Sequence, residues 1–132
     1  MVDGIIYIAG HARKINCFPE NFGTPAVMAY AYDQNPMVSA VLPYDETSAY
    51  QMTRYLIRKG HKKIALLAGR EDNLHTRRRL KGYQNALFDA QILYNPRLVR
   101  YVDWNKPSGY QETKRLLKED ITDSRRRIPV SG

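Results

Sequence analysis

One ten-residue stretch, Gly60-His61-Lys62-Lys63-Ile64-Ala65-Leu66-Leu67-Ala68-Gly69, most constrains what this chain can fold into. A helical pattern precedes it, and Arg79-Leu80-Lys81-Gly82-Tyr83 follows ten residues later. Glycine takes the left-handed cap of a helix at little steric cost, so Gly60 reads as a helix stop. The near-continuous apolar run Ile64 to Ala68 then reads as a strand with both sheet faces covered. A loop and a helix with arginines near its start complete the unit. In open α/β sheets, ligands bind outside the carboxyl ends of parallel strands, which is where this loop and helix start would lie.

The rest of the chain fits that frame. Val2 to Ile8, Pro25 to Ala29 and Val38 to Leu42 read as short strands rich in β-branched and small apolar residues. His11 to Gly23 reads as a connection with at most a short helix, and Asp33-Gln34-Asn35-Pro36 as a turn. Asp45 to Lys59 is the clearest helix, with Asp45 as its expected N-cap and Ala49, Met52, Leu56 and Ile57 as its apolar stripe. A second helix is predicted from about Thr76 to Ala90 with Leu80, Tyr83 and Leu87 inward. A strand follows over Leu98 to Val102, then a third helix from Pro107 to Lys118 with Tyr110, Leu116 and Leu117 supplying apolar surface. Helix-strand-helix-strand-helix with short links predicts an α/β fold of parallel sheets with flanking helices and right-handed crossovers. Residues 121–132, with three adjacent arginines, form a basic tail where the rhythm calls for another strand.

Composition excludes several classes. At 43 % apolar and 26 % charged residues, a packed core is expected and disorder is not. No apolar run of about 18 residues exists, so no membrane span is expected. The N-terminus lacks the basic region of a secretory signal, and the single Cys17 excludes an internal disulfide framework. Both facts fit the cytoplasm. The net charge of +8 reads either as a solvated basic surface or as a nucleic-acid footprint. The basic clusters at Lys59 to Lys63, Arg77 to Arg79 and Arg125 to Arg127 do not line one helix. No pair of Cys or His has metal-ligand spacing, and no glycine-rich phosphate loop is present, so no cofactor is expected. Cys17, His11, His61 and Asp45 have no spacing that supports a nucleophile, base and orienter, so no enzymatic activity is expected.

Five segments in order resemble the LacI/GalR family of bacterial transcriptional repressors: Val2-Asp3-Gly4-Ile5-Ile6, Thr24-Pro25-Ala26-Val27, the Gly60-to-Gly69 stretch, Arg79 to Tyr83, and Ser108-Gly109-Tyr110. The similarity covers roughly residues 1–120. It implies a partial two-lobed, periplasmic-binding-protein-like (type I) core. Residues 1–43 would be the later part of the first lobe and 44–120 the early part of the second. It further implies a sugar-like or nucleobase effector held between lobes, a homodimer, and operator DNA contacted only through a headpiece outside this chain. The expectation is an incomplete core, from a truncated or frame-shifted gene, that binds effector weakly or not at all alone. A small basic nucleic-acid-binding domain is the alternative.

The resemblance also assigns roles. Arg79 matches the arginine that holds the effector, and its fork of donors suits a diol or carboxylate. Trp104, the only tryptophan, follows a strand end; it reads either as a stacking platform for a sugar ring or as a cap on the core. Asn73 and His75 lie in the loop before the second helix, where family members place secondary polar contacts. Tyr30 follows the second strand, where many members carry an acidic or polar effector ligand.

Overall fold

A computed structural model of the chain describes residues 2–9, 14–16, 18–19 and 22–126, with the backbone alone for 15 and 121–126. The side chains of His11, Cys17 and the tail arginines lie outside the described residues.

Among the described residues, seven strands and three α-helices follow the order β1 (Ile5–Ile8), β2 (Lys14–Ile15), β3 (Ala26–Ala29), β4 (Tyr32–Asp33), β5 (Ser39–Val41), α1 (Asp45–Arg58), β6 (Leu66–Ala68), α2 (Leu74–Asp89), β7 (Val99–Tyr101) and α3 (Lys106–Arg126). Every strand pairing is parallel. The first sheet has the order β1-β3-β5, the second pairs β2 with β4, and the third pairs β6 with β7. In the third sheet α2 is the crossover, as the strand-loop-helix reading of the Gly60-to-Tyr83 region requires.

Local chemistry sets the element ends. Gly60 has φ +95°, and the N–H groups of Gly60 and His61 donate to the carbonyls of Ile57 (2.9 Å) and Leu56 (3.2 Å). This is the paired closure of a Schellman cap, and it ends α1 where the sequence placed the stop. The turn after β4 is built by side chains. Asp33 accepts from the N–H of Asn35 at 2.9 Å, and Asn35 accepts from the N–H of Met37 at 3.0 Å.

The two cores are separate. Ile64, Ala68, Tyr83, Leu87 and Val99 form one beneath α2, with Ile57, Leu80 and Tyr94 against it. Ala9, Phe18, Met28 and Ala31 form the other beside the first sheet. Tyr83 is buried and its hydroxyl donates to the Ile64 carbonyl at 2.7 Å, tying α2 to the approach of β6. Gly82 lets the two first helices meet: a Cβ there would lie 2.1 Å from the Glu46 carbonyl oxygen. α3 is held by Arg100, whose guanidinium donates to Glu112 (2.9 Å) and Glu119, and by a Lys63–Asp120 ion pair at 2.5 Å.

Several expectations need correction. The connection before β3 contains β2, which pairs with β4 although its two residues carry no strand signature. The stripe of α1 is rotated. Thr53 is buried with Ala49 and Ile57 partly covered, while Met52 is 65 % exposed, because close approach at Gly82 turns the Glu46–Tyr50–Thr53 side toward α2. Leu67 is exposed, so β6 covers one face rather than two. Of the three apolar α3 residues expected to supply packing surface, Leu116 is partly covered, whereas Tyr110 and Leu117 are exposed. That helix continues past Lys118 to Arg126 and takes in the first half of the tail.

Candidate functional site

The carboxyl ends of three strands point to one place. Tyr30 follows β3, Gly69 follows β6, and Trp104 lies in the loop after β7. The starts of α1 and α2 bring Asp45 and residues 73–79 to the same region.

Asp45 is the centre. The sequence places it as the N-cap of α1, but the cap position is Tyr44 and no side chain caps that end. The Asp45 carboxylate instead turns across to α2, where Oδ1 accepts from Arg79 Nε at 2.8 Å and Oδ2 meets His75 Nδ1. Its side chain is only 2 % exposed. A buried carboxylate is tolerated when donors surround it, and two donors from one helix turn supply that here.

The α2 start is organised by Asn73. Its side-chain oxygen accepts from the His75 N–H at 2.9 Å and caps the helix. Among the described residues, His75 Nε2 and Thr76 Oγ1 are buried without a hydrogen-bond partner. Buried polar atoms are nearly always paired, so two adjacent orphans at a helix start mark a place where an external group would be welcome.

Aromatic walls flank this cluster. Tyr30 holds φ +64° and stays in register through its N–H, which donates to the Val41 carbonyl at 3.0 Å. Its ring stands edge-on to His75 with centroids 6.4 Å apart. Non-glycine residues avoid the left-handed region, so this backbone strain is stored where the ring meets the site. Trp104 is 42 % exposed. Its Nε1 edge and Thr76 Oγ1 crowd the same face of Gly69, where a Cβ would come within 2.1 Å and 2.9 Å of them. The seat for the indole is therefore the absence of a side chain at 69.

All five residues singled out in the sequence lie in this one chain of contacts: Tyr30, Asn73, His75, Arg79 and Trp104. Asn73 is engaged as a cap, and Trp104 has its indole nitrogen edge turned inward against Gly69 and Thr76. Sequence reasoning missed Asp45, Thr76 and Gly69 as members. Only Asp45 left a trace, because Asp45-Glu46 offers two acids where a helix start needs one. Among the described residues no group of three or more His, Cys, Asp or Glu is arranged to hold a metal ion. No helix among them is long and apolar enough to cross a membrane.

The chain is similar to known proteins over most of its length. The family model describing periplasmic binding proteins and the sugar binding domain of the LacI family matches residues 1–120. Identity to Catabolite control protein A of Priestia megaterium is 28 % over 125 residues, covering 90 % of this chain and 36 % of that protein. Identity to the Lactose operon repressor of Escherichia coli K12 is 34 % over 97 residues, covering 74 % and 26 % respectively. The solved complex of the transcriptional regulator CelR with cellobiose superposes with a TM-score of 0.68 at 29 % identity, covering 89 % of this chain and 37 % of that one. The transcription regulator CcpA of Lactococcus lactis also gives 0.68, at 30 % identity, covering 89 % and 44 %. The chain spans about a third of the length of the curated relatives it matches.

Proposed function

Because this chain belongs to the family of periplasmic binding proteins and LacI-type sugar-binding domains, we propose that it is part of the effector-sensing core of a transcriptional regulator. Residues 1–43 then belong to the first lobe and 44–120 to the second, with the 121–132 tail continuing α3 as far as Arg126. The effector is a sugar or sugar derivative. Arg79 would hold it, Trp104 would stack on it, and His75, Asn73 and Tyr30 would line it. The chain works as a sensor rather than an enzyme, in the cytoplasm, within a homodimer. Operator DNA is reached through a headpiece outside these residues.

The observation that carries this reading is the convergence of three strand ends on a buried carboxylate that holds Arg79 and His75 in place. Such ends are where α/β sheets bind ligands, and fixed donors beside orphaned polar atoms suit a molecule dense in hydroxyls. Regulation follows if the effector binds one lobe arrangement better than another, since only differential affinity moves such an equilibrium. The relatives named above are repressors and regulators, which favours a sensor over a catalyst.

The nucleic-acid reading has less support. Some of the basic residues are matched internally: Arg79 by Asp45, Arg100 by Glu112 and Glu119, Lys63 by Asp120, and Arg70 by Asp72. Trp104 provides the test, because as the only tryptophan it reports on the site by fluorescence. Titration with a panel of sugars and nucleosides should give a saturable change with weak affinity, near the millimolar level that corresponds to about 4 kcal/mol. Arg79→Met should abolish it. A panel without any Arg79-dependent response would end the effector reading, and binding to DNA that weakens steeply with salt would replace it.

A further inference from the structure

We propose that Asp45 is a positioning residue that sets the hydrogen-bond polarity of this site, making His75 an acceptor beside the donor Arg79. The chain then selects a ligand that presents hydroxyls over one that presents acceptor atoms alone. The proposal rests on the effector reading and names the chemistry its ligand must have.

Both Asp45 oxygens are engaged, Oδ1 by Arg79 Nε at 2.8 Å and Oδ2 by His75 Nδ1. A carboxylate only accepts, so the proton between it and the imidazole sits on Nδ1. In a neutral ring this leaves Nε2 with a lone pair and no hydrogen. The His75 side chain is 8 % exposed, and Nε2 has no protein partner among the described residues. An acceptor orphaned by burial carries a free-energy cost that a ligand donor removes. Arg79 presents the opposite demand. Its bond to Asp45 uses Nε alone, so the four N–H bonds of its two Nη groups remain for acceptors, in a planar fork that the carboxylate orients.

One carboxylate therefore holds an acceptor and a set of donors four residues apart on one helix. A hydroxyl satisfies both kinds of group, donating to His75 Nε2 while its oxygen accepts from Arg79, and a pair of neighbouring hydroxyls does so with more reach. A carboxylate or phosphate offers oxygens only. It would satisfy Arg79 but set its lone pairs against that of Nε2. Thr76 Oγ1, buried and likewise without a partner, can donate or accept and so adds capacity without altering the preference.

The test uses the full chain with ¹⁵N-labelled histidine rings, whose shifts report which nitrogen carries the proton; His75→Gln assigns the signal. The His75 ring should carry its proton on Nδ1, and Asp45→Asn should move it to a tautomer mixture. A proton on Nε2, or on both nitrogens, in the unsubstituted chain would overturn the proposal, and that spectrum decides even where Asp45→Asn folds poorly. A second arm follows Trp104 fluorescence with matched pyranose probes, glucose against glucuronate and galactose against galacturonate, in which a carboxylate replaces the terminal hydroxymethyl group. The neutral sugar should bind about tenfold tighter, and Asp45→Asn should narrow the gap to about threefold or less. Equal or reversed preference in the unsubstituted chain would overturn the selection. If no probe binds while His75 keeps its Nδ1 proton, the effector reading falls and the positioning role of Asp45 stands.

Discussion

The two halves of this molecule bury their strands in different ways. Around the third sheet, α1 and α2 pack backbone to backbone at Gly82, and Tyr83, Leu87 and Ile64 disappear beneath them. Around the first sheet, Met28 and Ala31 are sealed on one side, yet Ile6 and Ile8 on the other are 77 % and 73 % exposed. Among the described residues no helix precedes Asp45. Parallel sheets usually carry helices on both faces, so the first sheet is a half-covered layer and the third sheet with α1 and α2 a consolidated one. The contrast teaches where stability resides: the site's charged cluster is rooted in the consolidated half, and the other half contributes Tyr30 as a wall.

The largest expected effect comes from breaking the consolidated half at its closest contact. Gly82→Ala places a methyl 2.1 Å from the Glu46 oxygen and 2.9 Å from the Tyr50 nitrogen, both backbone atoms that cannot step aside. Urea unfolding should show a loss of about 3 kcal/mol or more. The same change at Gly109, within α3 and facing open space, should stabilise by up to about 1 kcal/mol through helix propensity. Similar effects at the two positions would mean that the α1–α2 contact is looser than described.

Much of this division is legible in the sequence. α2 announced itself through Leu80, Tyr83 and Leu87 at helical spacing, and α1 ended at the glycine that chemistry demanded. The inward side of α1 was not readable, because Met52 and Leu56 look like core while the residues that face α2 include Thr53 and Tyr50. Helix rotation is fixed by Gly82, 30 or so residues away, and a local window does not contain it. The site divides in the same way. Strand-end reasoning and the family resemblance point to Asn73, His75, Arg79 and Trp104, the first three at the start of α2 after β6 and the last in the loop after β7. Local pattern favours Asp45 as a cap. Its real partners lie 30 and 34 residues onward, and only the tertiary contact reveals them.

Tyr83 sharpens the comparison through pH. Burial pushes its phenol from 10 up to about 12, and its hydroxyl donates to the Ile64 carbonyl. The folded state thus favours the neutral form. That stabilisation is fully present below pH 10 and is lost as pH rises from 10 toward 12. Tyr83→Phe should cost about 1 kcal/mol at neutral pH by orphaning the Ile64 carbonyl, and it should flatten the alkaline limb of the stability curve. An unchanged limb in denaturation scans across that range would show that Tyr83 is not the group responsible.

The helix ends offer a paired experiment of similar or smaller size. α1 closes on Gly60 at φ +95°, whereas α2 closes on Gln91 at φ +59° with equivalent bonds, Gln91 N–H to Phe88 at 3.0 Å and Ile92 N–H to Leu87 at 2.8 Å. A left-handed conformation costs an L-residue roughly 1 kcal/mol that glycine does not pay. Gln91→Gly should therefore raise stability by up to about 1 kcal/mol, and Gly60→Ala should lower it by about as much. Opposite signs in thermal melts are the required result.

The smallest expected change in stability belongs to the open face of the first sheet, and there a near-zero value is itself the informative outcome. Ile8→Thr keeps β-branching on a strand and removes apolar surface that is already in water, so the folding free energy should move by no more than about 0.5 kcal/mol. Solubility should respond where stability does not. Ile6, Ile8 and Val41 together make an exposed apolar face of the kind that drives association. The isolated chain should scatter light at lower concentration than a variant carrying Ile6→Thr and Ile8→Thr. If Ile8→Thr instead cost as much as a buried truncation such as Leu87→Ala, about 3 kcal/mol, that face would be covered in solution. The two halves of the molecule would then be alike in how they bury their strands.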